Sequence, residues 1–85
     1  MDVDQKTIDQ LGARVEDARA FLHVDDKTAQ LAELDVQIAS PGFWDDTAHA
    51  QSVSKQAGNL RETLREYEQA VSLYEDAQAA FELAG

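Results

Sequence analysis

The sequence predicts an all-α fold, a small bundle of three helices whose third is long and coiled-coil-like. Apolar residues recur at spacings of three and four along most of the chain. Only one strong breaker cluster, Ser40-Pro41-Gly42, interrupts them, and no segment alternates apolar and polar residues in the manner of a strand.

Helix 1 is expected over about residues 4–22, because Ile8, Leu11, Val15, Ala18 and Leu22 fall on one stripe at helical spacing. The pattern pauses at His23-Val24-Asp25-Asp26, where Asp25 or Asp26 can accept hydrogen bonds from the free N–H groups of a new helix. Helix 2 then spans about 26–39, with Leu31, Leu34 and Ile38 as its buried stripe. Since the pause contains no Gly or Pro, it leaves open whether the chain reverses there or merely kinks. Pro41 cannot donate to a helical ladder and biases Ser40 away from helical dihedrals, so residues 40–46 read as a turn. Helix 3, about 47–83, carries Ala50, Val53, Ala57, Leu60, Leu64, Tyr67, Val71 and Tyr74 at alternating spacings of three and four. Its length would be roughly 55 Å at about 1.5 Å per residue. Gly58 lies inside this pattern and reads as simply tolerated, at up to about 1 kcal/mol relative to Ala.

Eighty-five residues make one domain, 1–85, whose core supplies only about 3 to 5 kcal/mol of net stability. Seventeen acidic against seven basic residues give a net charge of -10, which repels phosphate and argues against a direct nucleic-acid grip. No apolar run is long enough for a membrane span, and the start Met1-Asp2-Val3-Asp4 does not resemble a secretion signal. The lack of cysteine fits a cytoplasmic location. From Glu66 onward, Glu66, Glu68, Glu75, Asp76 and Glu82 meet no Lys or Arg. Such a run is ordinarily the solvated face of a helix, and the sharper reading makes it a contact for a basic protein surface.

Asp45, Asp46 and His49 could place two carboxylates and an imidazole near one helical turn, a pattern that can hold a metal. Capping explains them better, because Asp46 stands where helix 3 needs an N-cap. His23, at the end of helix 1, complements the helix dipole and needs no catalytic role. Phe43-Trp44, just before the cap, is expected to fold back as a hydrophobic staple with Trp44 buried, the alternative being a partner-facing anchor. Pro41, Gly42, Phe43, Trp44 and Asp46 are thus turn and cap residues. With no Gly-rich phosphate loop, no nucleophile beside a histidine base and no enclosed carboxylate pair, the sequence points to no enzyme, no metal and no cofactor.

The run Ser40-Pro41-Gly42-Phe43-Trp44-Asp45-Asp46, followed by Ala48 and Ala50-Gln51 opening a long helix, resembles the N-terminal helical domain of the bacterial peptide chain release factor 2 family. Leu31-Ala32-Glu33-Leu34, Val53-Ser54-Lys55, Asn59-Leu60 and Phe81-Glu82-Leu83-Ala84 agree with it, most strongly over residues 31–64. The sister factor that reads the other stop-codon pair usually lacks the Trp turn, which favours factor 2. In that family a Gly-Gly-Gln motif releases the peptide and a Ser-Pro-Phe tripeptide reads the stop codon, both in later domains, and neither occurs here. The resemblance implies a non-catalytic, cytoplasmic domain of a translation termination factor. Its implied partners are the GTPase-associated region of the ribosome and the class-II release factor GTPase. Because the family domain continues with another helix, the resemblance also implies truncation at Gly85.

A rival from another class is a free-standing acidic helical adaptor or coiled-coil module that binds an unrelated protein. Two arrangements of the helices differ in consequence. In a compact bundle, helix 3 overhangs, Tyr67, Val71, Tyr74 and Phe81 are exposed, and a weak salt-promoted homodimer follows. If helices 1 and 2 lie end to end, together they cover helix 3 and the chain stays monomeric.

Overall fold

The structure, a computed structural model, describes residues 4–84; the Met1-Asp2-Val3 start and the reading of truncation at Gly85 lie outside the described residues. Three α-helices follow one another: α1 (Gln5–Phe21), α2 (Val24–Ile38) and α3 (Thr47–Ala84), with a single 3-10 turn at Phe43–Asp45. No strand occurs among the described residues. The predicted stripes face inward. Ile8 and Val15 of α1 are buried, with Leu11, Ala18 and Leu22 half-buried, and α3 buries Ala50, Val53, Ala57 and Leu64.

The helices are arranged as a broken rod against an unbroken one. α3 has 38 residues, or about 57 Å at 1.5 Å per residue, which matches the 58 Å long axis of a molecule only 22 by 17 Å in section. α2 covers the first half of α3, where Leu34 and Ile38 pack on a cluster of Phe43, Ala50 and Val53 and Asp35 pairs with Arg61. α1 covers the second half, where Gly12 lies under the ring of Tyr74. The overhang of a compact bundle is therefore absent. Tyr67, Val71, Tyr74 and Phe81 are half-buried beneath α1 rather than exposed, because the 17 and 15 residues of α1 and α2 are spent in line. The core is thin as a result, and among the described residues no large side chain is wholly withdrawn from solvent.

At the joint between α1 and α2 the chain kinks and does not reverse. His23 takes the left-handed conformation, φ 53° and ψ 50°, which is unusual for a residue other than glycine and carries some strain. Two polar contacts bridge the joint. Arg19 in the last turn of α1 forms a forked ion pair with Asp25 in the first turn of α2, at 2.9 and 3.2 Å. The Lys27 ammonium donates to the Leu22 carbonyl, one of the free acceptors at the end of α1. Two expectations are corrected here. α2 begins at Val24, which is buried, so Asp25 and Asp26 lie inside its first turn and do not cap it; His23 occupies the cap position and makes no side-chain hydrogen bond there.

Candidate interaction surface

The turn from α2 to α3 is built by Ser40, Gly42 and Asp46. The Ser40 hydroxyl donates back to the Val36 carbonyl at 2.8 Å, ending α2. Pro41 leads into Gly42, whose φ of 79° suits glycine, and a Cβ there would meet the Asp45 carboxylate at 3.3 Å. The Phe43 N–H donates to the Ser40 carbonyl and the Asp45 N–H to the Gly42 carbonyl, closing the 3-10 turn. Asp46 then accepts from the His49 N–H at 3.1 Å as the N-cap of α3. Its cap role agrees with the sequence reading.

Trp44 does not. It is 62% exposed, and Phe43, at 8%, is the aromatic that enters the core. Neighbouring residues of a 3-10 turn point about 120° apart, so only one of the two rings can face Ala50 and Val53. Phe43 takes that direction, and the Trp44 indole stands edge-on to it, ring centres 5.1 Å apart at 90°. The staple is Phe43 alone. Since the helices run antiparallel, the turn forms one end of the long axis, opposite Asp4 and Ala84.

Glu66, Glu68, Glu75, Asp76 and Glu82 are all exposed, yet they do not form one patch. Residues seven apart on an α-helix return to within about 20° of the same direction, so Glu68, Glu75 and Glu82 make a line along α3. By the same geometry Asp76 lies on the outer face and Glu66 on the opposite flank. His49 sits 6.0 Å from the Phe43 ring, centre to centre, and is exposed in the first turn of α3. Among the described residues no three His, Asp or Glu side chains are gathered as metal ligands, and no polar or charged side chain is buried. No helix among them is long and apolar enough to cross a membrane.

The fold and these surfaces define an elongated all-helical module whose charged side chains, with Trp44, lie on the outside. Its particular relationship comes from comparison with known proteins. The chain is 30% identical over 76 residues to peptide chain release factor 2 of Exiguobacterium, covering 89% of this chain and 21% of that protein. To release factor 2 of Petrotoga mobilis it is 30% identical over 77 residues, 91% of this chain and 21% of the relative. To that of Rickettsia bellii it is 39% identical over 66 residues, 78% and 18%. The resemblance first met at Phe43-Trp44-Asp45-Asp46 thus holds along most of the chain, which is similar to part of release factor 2, a translation termination factor. It spans about a fifth of the length of the curated relatives it matches. No protein-family model matches the chain, and no solved structure matches it.

Proposed function

We propose that this chain serves as the N-terminal helical domain of a class-I peptide chain release factor of factor 2 type, acting in translation termination in the cytoplasm. It is non-catalytic by itself and engages the GTPase-associated region of the ribosome and the class-II release factor GTPase. The observation that carries this reading is the similarity to release factor 2 of distant bacteria over up to 91% of the chain. The shape supports it too, since a rod 58 Å long and two helices thick offers reach and surface.

Replacing the matching region of a release factor 2 with this chain tests the reading. The chimera should release peptide at its stop codons and be recycled by the class-II GTPase as the parent is. A chimera that releases peptide and has lost its response to the GTPase would reject the proposed partner.

A further inference from the structure

We infer that the α2–α3 turn is a docking tip for a basic protein segment, with the exposed Trp44 indole as platform and Asp45 and Asp46 as its counter-charges. Phe21, Val36, Leu73 and Leu83 are also exposed among the described residues, but they lie along the helices, whereas Trp44 is the large apolar side chain exposed in the turn. It is the only tryptophan of the chain, it is 62% exposed, and it stands at one end of the rod rather than along a packed side. The ring is held in advance by its edge contact with Phe43, and Phe43 is fixed in the core. Little side-chain freedom is lost when a partner covers it.

Charge complementarity identifies the occupant. No Lys or Arg occurs between Thr28 and Ser54, while Glu33, Asp35, Asp45 and Asp46 do, and of these only Asp35 is paired, with Arg61. Asp45 and Asp46 follow Trp44 in the chain and are exposed with it at this end of the rod, Asp46 also capping α3 through the His49 N–H; an exposed indole on a tip carrying net negative charge attracts a cationic side chain such as a guanidinium. The same charges repel an RNA backbone. The occupant is therefore a protein segment carrying arginine or lysine. This inference rests on reading the chain as a partner-engaging module, and its test needs no ribosome.

Calorimetric titration with an acetylated, amidated Arg-Gly repeat peptide decides it. The wild-type chain should bind, with a change in Trp44 emission. Trp44→Ala should weaken binding about tenfold, as expected for loss of a desolvated cation–π anchor. A paired Asp45→Asn, Asp46→Asn variant should weaken it comparably, and Asn at position 46 still caps α3. By contrast, Glu68→Gln, Glu75→Gln and Glu82→Gln together remove more charge far from the tip and should cost less than about threefold. Circular dichroism confirms that each variant keeps its helix content. Equal losses in the two charge variants, wild-type affinity in Trp44→Ala, no binding at all, or a larger emission change with poly(U) RNA than with the peptide would each overturn the inference. A chain that docks the peptide and fails in the release-factor chimera keeps the tip and loses the ribosomal reading.

Discussion

The Tyr74 ring lies directly over Gly12, with its hydroxyl oxygen 3.0 Å and two ring carbons 3.1 and 3.2 Å from where a Cβ would project. This close approach seats α1 on the second half of α3, and a hydrogen bond from the Gln78 amide to the Tyr74 hydroxyl steadies the ring. Gly58, by contrast, has nothing within 4 Å. Opposite outcomes follow for the two glycines. Gly58→Ala should stabilise the chain by about 0.5 to 1 kcal/mol, the helix-propensity difference. Gly12→Ala should forfeit that gain, and Gly12→Leu should destabilise by about 1 to 3 kcal/mol through overpacking. Urea denaturation midpoints of the three variants check this.

The two neighbouring aromatics of the turn should separate as cleanly. Phe43→Ala removes the ring shared by α2 and α3 and should cost about 3 to 5 kcal/mol, enough to unfold a domain of this size. Trp44→Ala should change stability by less than about 1 kcal/mol. Thermal melts of both variants distinguish the roles, and a large loss in Trp44→Ala would restore the buried-staple reading.

How far the sequence discloses this molecule depends on the residue. The stripe from Ala50 to Tyr74 needs no structure to be seen, because a period alternating three and four leaves one inward face, and Asp46 before it is a cap by position. The joint at His23 is different. Its left-handed dihedrals go with α1 and α2 both lying on α3, a tertiary arrangement that nothing in the glycine-free stretch Phe21 to Asp26 announces. Likewise, Phe43-Trp44 tells a reader that one ring staples the turn and not which, since both are apolar and adjacent. The acidic residues of α3 are legible as a run, and only the helical rotation sorts them into a line of three and two outliers.

Because α1 and α2 together cover α3, the exposed apolar stripe that would drive pairing is missing. The chain should therefore sediment as a monomer at low and high salt alike. Sedimentation equilibrium across a salt series checks it, and dimers appearing as charge is screened would mean that α1 leaves α3 in solution.

Asp4 caps α1, its carboxylate accepting from the Thr7 N–H and the Thr7 hydroxyl, both at 2.8 Å. These bonds, the backbone one foremost, hold its carboxyl below the ordinary 3.8. A lowered carboxyl value means that the stability it contributes is complete above the ordinary value and is lost as pH falls through the folded-state value. The first turn of α1 should fray on acidification below about 3.8. Cα chemical shifts of Gln5 to Ile8 report it, and Asp4→Asn, which caps without titrating, should remove the pH dependence of those shifts.

Programmed ribosomes carrying peptidyl-tRNA provide the most direct test of whether this rod is a release-factor module without catalysis of its own. The chain, added in excess, should co-sediment with them saturably and leave the peptide on the tRNA. Failure to co-sediment under conditions where an intact release factor 2 binds, or peptide release by the chain alone, would contradict it.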